Sequence, residues 1–543
     1  MNRRPWPWPL DLLAAAALGA LQTLSYVHTQ AWWLQLACVG LLAWRASHAA
    51  PGRAALMGAL YGTAWVAAGT WWLFISMHRY GGLPAWMAVF AVMALAMVLS
   101  SYLALALAGF ARWRRGRPLG DALLFASLWL LAELARGVFF TGFPWVSAGY
   151  AHVDGPLAAW APWVGVYGIG AVAAFVAASP ALQTDRSRAA MLRGVALPLA
   201  LLVGPSVLGT PDFTRPTGTL AVTLLQGNVP QDEKFDADHQ QEALDWHIGM
   251  LGTARTDLVV APETAIPLLP QQIPEGMWEL LQAHFTQGAT AALIGVPMGN
   301  DTEGYTNSAA GFAPSQPPYR YDKQHLVPFG EFIPRYFRWF TELMNIPLGD
   351  FNRGPLVAPS FIVKGERVAP NICYEDLFGE ELAARFADAA AAPTILANLS
   401  NIGWFGQTIA VDQHLQISRL RSLELQRPML RATNTGATVV IDHRGTVSHR
   451  LEPHTRGVLE GAVQVGERVH LEVQARGPAS CGVAPSTADS QDRQRNRAPT
   501  PVLSHESPPE IRGDLPRSAV HDPLDLRGDH HRPAPQAAAG RGD

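Results

Sequence analysis

The chain has 543 residues, of which 49% are hydrophobic and only 16% are charged, and its formal net charge at pH 7 is −3. This composition is typical of a membrane protein that carries a soluble domain, and the scattered arginines form no basic face of the kind that nucleic-acid binding requires. Because Cys38, Cys373 and Cys481 lie in an apolar, a strand-rich and a polar segment, a disulfide framework is not expected.

The first 210 residues contain about seven long apolar stretches. Most of them are long enough to cross the roughly 30 Å hydrocarbon core of a bilayer, so we interpret residues 1–210 as a membrane domain of about seven transmembrane helices. The first stretch follows two arginines but ends at no convincing cleavage site, which indicates a retained helix and not a signal peptide. The stretches cover approximately residues 8–27, 31–47, 55–77, 83–111, 119–137, 157–180 and 190–208.

Arginines cluster in alternate loops of this domain, whereas the opposite loops carry almost none. The positive-inside rule places the arginine-rich loops and the N-terminus in the cytoplasm. An odd number of spans then delivers everything after about residue 210 to the other side of the membrane. The clusters are Arg3 and Arg4, then Arg45 and Arg53, then Arg112, Arg114, Arg115 and Arg117, and finally Arg186, Arg188 and Arg193.

From about residue 218 onward, short β-branched runs alternate with longer amphipathic stretches, beginning with the run 220–225. Such alternation favours a layered α/β domain, which we assign to residues 218–470. Further strands are predicted at 257–261, 291–296, 307–313, 359–363, 368–372, 393–398 and 437–442, and helices near 236–254, 276–286, 378–388 and 411–426.

Three chemically distinct residues stand at the ends of β-rich segments of this domain. They are Glu263, Lys323 and Cys373, and they offer a base, a cation and a nucleophile. A lone cysteine is commonly a small buried hydrophobe, and single Glu or Lys residues usually lie on solvated faces. Their shared placement at strand ends, where sites form in α/β folds, favours catalysis.

The segments around these residues resemble the apolipoprotein N-acyltransferase family, which belongs to the nitrilase superfamily. The resemblance extends over about residues 1–470, and its most specific part is the block 321–334. The residues that carry it are Tyr321-Asp322-Lys323-Gln324-His325-Leu326-Val327-Pro328-Phe329-Gly330-Glu331-Phe332-Ile333-Pro334, Cys373-Tyr374-Glu375, Asn398-Leu399-Ser400-Asn401, Trp404-Phe405-Gly406 and Gly142-Phe143-Pro144-Trp145.

This resemblance implies a polytopic α-helical membrane bundle joined to a nitrilase-like αββα sandwich. It also implies the last step of bacterial lipoprotein maturation, in which an acyl chain moves from a phospholipid to the N-terminal amine of a diacylglyceryl-cysteine on an apolipoprotein. The implied donor is phosphatidylethanolamine, and the reaction proceeds through a thioester in a ping-pong sequence. No cofactor, metal or nucleic acid is expected, and the implied location is the bacterial inner membrane with the catalytic domain facing the periplasm.

The resemblance also implies roles for individual residues. Cys373 would attack the ester, Glu263 would act as general base, and Lys323 would stabilise the oxyanion and help hold Cys373 as a thiolate. Glu331 would orient Lys323 or assist proton transfer. Tyr374 and Glu375 would shape the turn that carries the nucleophile.

Aromatic residues near these motifs are candidates for lipid contacts. Trp404 and Phe405 are flanked by glycines and suit a loop that meets acyl chains, although core packing explains them almost as well. Trp145 suits either a lipid entry or a helix anchor. Phe235 stands where the resemblance implies a tryptophan, so any hydrogen bond from an indole N–H is lost there.

The end of the chain departs from the family pattern. The resemblance implies one more membrane helix after the catalytic domain, yet residues 474–543 contain no apolar run and have the composition of a disordered tail. Two other interpretations stay open. A membrane-tethered nitrilase-like amidohydrolase would pass the acyl group to water, and a scaffold or transporter would use no triad.

Overall fold

The structure, a computed structural model, describes residues 8–185, 187–209, 212–234, 237–334 and 350–468. The predictions made for Phe235 and for the tail 474–543 lie outside these residues, and they stay predictions.

The N-terminal part is helical, and a helix forms over each of the predicted apolar stretches. Within the described ranges, four helical segments are long and apolar enough to cross a membrane: Ala85–Trp113, Pro118–Thr141, Pro156–Ala181 and Arg188–Leu208. The helices are α1 (Trp8–Gln22), α2 (Trp32–Ala46), α3 (Pro51–Thr70), the short α4 (Leu73–Ile75), α5 (Ala85–Trp113), α6 (Pro118–Val138), α7 (Ala161–Ala181) and α8 (Arg188–Leu208).

Charged side chains inside this bundle are paired. Arg45 of α2 donates hydrogen bonds to Asp11 of α1, and both side chains are largely buried. Arg136 lies 3.6 Å from Glu133 one turn earlier on α6. Because a buried charge without a partner is strongly unfavourable in an apolar interior, each pair allows two ionisable groups to lie inside the bundle.

The second part is built on two mixed β-sheets, each with six strands in the described residues. The first sheet has the order β12-β1-β2-β3-β4-β5, and the second has the order β11-β10-β9-β8-β7-β6. The strands are β1 (Thr214–Gln226), β2 (Leu258–Val260), β3 (Ala291–Asn300), β4 (Gly304–Phe312), β5 (Tyr319–Asp322), β6 (Phe361–Val363), β7 (Glu366–Ile372), β8 (Ile395–Ser400), β9 (Met429–Thr433), β10 (Val439–Ile441), β11 (Val447–Arg450) and β12 (Gly457–Arg468).

Parallel pairing occupies the centre of each sheet. Strand β2 pairs in parallel with β1 and β3, and β8 pairs in parallel with β7 and β9. Parallel strands are buried on both faces, which agrees with the burial of every residue of β2 and β8. Their carboxyl ends lie at a common edge, so residues that follow these strands come together.

Helices cover the outer faces, so the domain is the αββα sandwich that the resemblance implied. Apolar side chains of both sheets form one core, which includes Val222, Leu258, Ile372 and Leu430. Helices α9 (Ala237–Thr253) and α10 (Met277–Gln287) pack on the first sheet. Helices α11 (Gly379–Ala384) and α12 (Ala410–Leu425) belong to the second half of the domain.

Helix α12 lies against the membrane bundle as well as against the second sheet. Glu424 of α12 accepts a hydrogen bond from the Val166 N–H of α7, and Arg419 forms an ion pair with Asp154. The apolar residues of α12 and of the bundle belong to one continuous core. The two parts of the chain therefore share a packed interface, with α12 as its middle layer.

A tight loop after α6 makes a further contact. Phe140, Thr141 and Gly142 all have positive φ angles, of 55°, 75° and 81°. The carbonyl of Gly142 accepts a hydrogen bond of 3.1 Å from the hydroxyl of Tyr374, the residue after Cys373. A Cβ atom at Gly142 would lie 2.0 Å from the carbonyl oxygen of Gly137, so only glycine fits there.

We expect Gly142→Ala to destabilise the protein by about 2 kcal/mol or more, because the substitution adds both a steric clash and an unfavourable positive φ. Thermal unfolding in detergent measures the effect. Gly249→Ala is the matched control, since Gly249 lies in helix α9 with no heavy atom near its added Cβ, and it should be neutral or slightly stabilising. Equal unfolding temperatures for both variants would contradict the described loop.

Candidate active site

Three strand ends place the predicted catalytic residues. Glu263 follows β2 and leads into Thr264, which has a positive φ of 47°. Lys323 follows β5 directly, and Cys373 follows β7 directly. The charges of Glu263 and Lys323 both act on the Cys373 thiol, so the structure brings the three predicted residues together.

Cys373 occupies a strained turn. Its φ is 53°, in the left-handed region that side chains with a Cβ rarely adopt, and it is the first residue of a 3₁₀ turn that ends at Leu377. Its backbone carbonyl accepts a hydrogen bond of 3.1 Å from Asn398 of β8. Strain of this kind costs about 1–3 kcal/mol and persists only where the surroundings hold it, which is common at functional sites.

A hydrogen-bonded set of buried polar groups surrounds Lys323. Its ammonium donates to Glu331 at 2.9 Å and lies 3.5 Å from Glu263. The side-chain amide of Asn307 donates to both carboxylates, at 2.8 Å to Glu263 and 2.7 Å to Glu331. The other oxygen of Glu263 accepts from the backbone N–H of Asn401 at 2.8 Å. Both carboxylate oxygens of Glu263 are thus held, one by a donor within β4 and the other by the residue that follows β8.

Burial and neighbouring charges decide the protonation of the site. Burial, reinforced by the negative charge of Glu263, raises the pKa of Cys373 to about 12, although Lys323 acts in the opposite direction. Burial would lower the pKa of Lys323, but the charges of Glu331 and Glu263 outweigh it and raise that pKa above its ordinary value. At neutral pH the site holds a neutral thiol and a charged lysine. Burial acts against the thiolate that the resemblance implies for Cys373, since desolvation outweighs the attraction of Lys323.

Glu375 joins the lysine segment to the cysteine turn. Its carboxylate accepts hydrogen bonds from the N–H groups of Ile372, Gln324 and His325, at 2.6, 2.7 and 3.1 Å. It also accepts from the hydroxyl of Tyr321. One buried carboxylate thus satisfies donors from both segments, which agrees with the shaping role expected of Glu375.

A second polar cluster lies behind the turn. The guanidinium of Arg431 donates to Asn398 at 2.9 Å and lies 3.3 Å from Asp376. The ring of His414 lies 2.9 Å from the other oxygen of Asp376, and all four of these residues are buried. The side-chain amide of Asn398 also donates to the carbonyl of Cys373, so this cluster helps to hold the turn that carries the cysteine. Sequence reasoning gave no role to these residues or to Asn307, although Asn398 and Asn401 stood in a quoted motif.

The predicted lipid-contact residues are found in different environments. Trp145 is 4% exposed and packs against Trp72, and both indole N–H groups donate to the side-chain oxygen of Gln413 in α12. Phe405 packs on the same Trp72 ring, at 4.2 Å between ring centroids. Trp404 is 39% exposed and meets Tyr80 edge to face. Trp145 and Phe405 therefore join the two parts of the chain, while Trp404 presents its ring outward.

No group of three or more His, Cys, Asp or Glu side chains within the described ranges is arranged to hold a metal ion. The polar groups at the site are instead an ammonium, carboxylates, amides and a thiol, which together suit acyl transfer through a covalent intermediate.

Both parts of the chain match known protein families. Residues 18–179 match the apolipoprotein N-acyltransferase N-terminal domain, and residues 221–469 match the carbon-nitrogen hydrolase family. An apolipoprotein N-acyltransferase of Verminephrobacter eiseniae is 54% identical over 480 residues, which cover 84% of this chain and 89% of that protein. Proteins of the same name from Ralstonia nicotianae and Nitrosomonas europaea are 47% and 37% identical, each over 83% of this chain and over 87% and 91% of their own lengths.

The protonation state of Cys373 is open to a direct test by alkylation. Only the thiolate reacts with iodoacetamide, so a thiol with a pKa of about 12 should react slowly at pH 7 and about tenfold faster for each further pH unit up to pH 10. Peptide mass mapping reports the rate at Cys373 separately from the other cysteines. A rate that is already constant between pH 7 and 9 would show a stable thiolate and contradict this assignment.

Proposed function

The chain belongs to the apolipoprotein N-acyltransferase family, and on that premise we propose that it transfers an acyl chain from a phospholipid to the N-terminal amine of a diacylglyceryl-cysteine on apolipoproteins. The observation that carries the proposal is the convergence of Glu263, Lys323 and Cys373 on one strained turn, in a domain packed against a helical membrane bundle. Both substrates are anchored in lipid, and a site fixed to the bundle suits them.

In the first half-reaction, the sulfur of Cys373 attacks the ester carbonyl of the phospholipid. Glu263 takes the thiol proton as the S–C bond forms, because the buried thiol is neutral beforehand. The charged Lys323 stabilises the oxyanion that develops on the carbonyl oxygen. The C–O bond then breaks, Glu263 returns the proton to the leaving alkoxide, and a lysophospholipid departs from a thioester on Cys373.

In the second half-reaction, the neutral α-amine of the apolipoprotein attacks the thioester carbonyl. Glu263 takes a proton from the amine, the C–S bond breaks, and the thiolate of Cys373 recovers the proton from Glu263. Glu331 and Asn307 take no part in bond making, but they hold Lys323 and Glu263 in place through the contacts at 2.7–2.9 Å. We assign phosphatidylethanolamine as the donor, following the family resemblance.

The two ends of α6 support the proposed orientation of the protein in the membrane. The arginine-rich segment 112–117 precedes α6, while the loop at its other end contacts Tyr374 through Gly142. A helix of 21 residues is about 32 Å long, enough to separate these ends by a bilayer core. With the arginines in the cytoplasm, the active site faces the periplasm of the inner membrane.

The thioester is the first expected outcome. Protein purified in detergent and mixed with phosphatidylethanolamine bearing a tagged sn-1 chain should gain one acyl mass on Cys373 that hydroxylamine removes. Cys38→Ser is the matched control and should acylate normally, whereas Cys373→Ser should form no hydroxylamine-sensitive adduct. If a diacylglyceryl peptide removes the acyl chain from Cys373 quickly and water removes it only slowly, the result supports transfer to an amine. Rapid discharge by water alone would favour the amidohydrolase, and no adduct on folded protein would reject the proposal.

Orientation is tested with single cysteines and a membrane-impermeant maleimide. In a protein without Cys38 and Cys481, Thr302→Cys on the exposed turn after β3 should be labelled in intact spheroplasts. Arg115→Cys should be labelled only after the membrane is permeabilised, because its neighbours keep the loop positively charged. The reverse pattern would overturn the topology.

A further inference from the structure

Lys234 is a buried cation that the proposed mechanism does not use. It is 3% exposed and lies at the end of the turn 230–234, where its N–H donates to the carbonyl of Pro230. Its ammonium donates a hydrogen bond of 3.1 Å to the backbone carbonyl of Glu263. Lysine is almost never fully buried without a charged partner, so the burial of Lys234 needs a physical explanation.

The turn that carries Lys234 is fixed from several sides. Gln231 accepts a hydrogen bond of 2.8 Å from the side chain of Asn401, whose own N–H donates to the carboxylate of Glu263. Asp232 forms an exposed ion pair of 2.7 Å with Arg79, which follows α4 in the membrane part. Lys234 of this turn thus holds the backbone of Glu263. Asn401, which the turn binds through Gln231, holds the carboxylate of Glu263.

A small cavity opens beside Lys234 and Glu263, and it is lined also by His247 of α9 and by Asn434. The Nδ1 atom of His247 lies 2.7 Å from the carbonyl of Ala243 and must donate to it, since a carbonyl only accepts. Nε2 is then a lone-pair acceptor, and it is buried without a partner among the described residues. The cavity therefore combines spare ammonium donors with an unused acceptor.

We propose that Lys234 is a positioning residue of the acyl-transfer site, which fixes the turn bearing Glu263 through a charged hydrogen bond to its backbone carbonyl. The inference rests on the proposed function, because it assigns Lys234 to the first half-reaction. The charged ammonium makes a charge-assisted hydrogen bond to the Glu263 carbonyl, and such bonds are stronger than neutral ones. Loss of the proton from Lys234 weakens this bond, so the base is then held less firmly.

The charge on Lys234 is sensitive to pH. Burial, only partly offset by Glu263 and Cys373, lowers the pKa of Lys234 to about 8. The other groups that face it stay in one state between pH 6 and 10: burial keeps His247 neutral with a pKa of about 4, Lys323 stays charged and Cys373 stays a thiol. Arg456 adds a positive charge that also acts on His247. Loss of the proton from Lys234 is then the change expected near pH 8.

The experiment measures the single-turnover rate of thioester formation on the full-length protein with tagged phosphatidylethanolamine from pH 6 to 10. In the natural protein the rate should fall as pH rises through about 8. Lys234→Met should lower the rate at pH 7 by about tenfold or more, with half-saturating lipid changed by less than about twofold, and should abolish the fall. Lys234→Arg should retain most of the rate and also lose the fall, since arginine stays charged.

Lys364→Met is the matched control, because Lys364 is an exposed lysine of the same domain, paired with Asp257. It should reproduce the natural rate and pH profile. A Lys234→Met rate equal to that of the control, or a fall near pH 8 that persists in Lys234→Arg, would overturn the inference even if Lys234→Met folds poorly. Absence of any thioester in the natural protein would instead reject the proposed function, so the two failures are distinguishable.

Discussion

The site depends on one ammonium group held between two buried carboxylates. Without Lys323, the carboxylates of Glu263 and Glu331 would face each other through the single amide of Asn307, with no cation between them. With Lys323 in place, both stay close to the cysteine turn. In the proposed mechanism Glu263 acts there as a base, and the same cation stabilises the oxyanion during acyl transfer. The charge of Lys323 therefore both stabilises the arrangement of the site and takes part in the proposed chemistry.

A neutral thiol fits this arrangement better than a preformed thiolate. The site is built to accept charge only as the reaction proceeds, since a thiolate would add a third anion beside Glu263 and Glu331. Electrostatic groups that are fixed before the reaction need no rearrangement when charge develops, which is how they lower the barrier. The strained backbone of Cys373 is supported by Asn398 and Glu375, and in the proposed mechanism it fixes the direction from which the sulfur attacks.

The sequence alone predicted the α/β layering, the strand ends and the three central residues, because β-branched runs and isolated charged residues are local signals. It missed β5, β9, β11 and β12. Of these, β9 carries Arg431 in its centre and so lacks an apolar run, and the buried ion pair with Asp376 compensates for the charge. It also missed the donors to Glu263, since Asn307 and Asn401 are 44 and 138 residues away along the chain. The burial that raises the pKa of Cys373, and so acts against a thiolate, cannot be seen in residue spacing.

The shared core around α12 limits how this chain can be divided. Leu415, Leu420 and Ile441 lie in the same apolar cluster as Trp72, Val146 and Ile169 of the membrane part. Gln413 adds hydrogen bonds across this interface, since its side-chain oxygen accepts from the indole N–H groups of both Trp72 and Trp145. A catalytic domain cut free at residue 210 would expose this apolar face and leave the Gln413 amide without its partners. For this enzyme, solubility and catalysis cannot be separated by truncation: the bundle is part of the interior that keeps the cysteine turn folded.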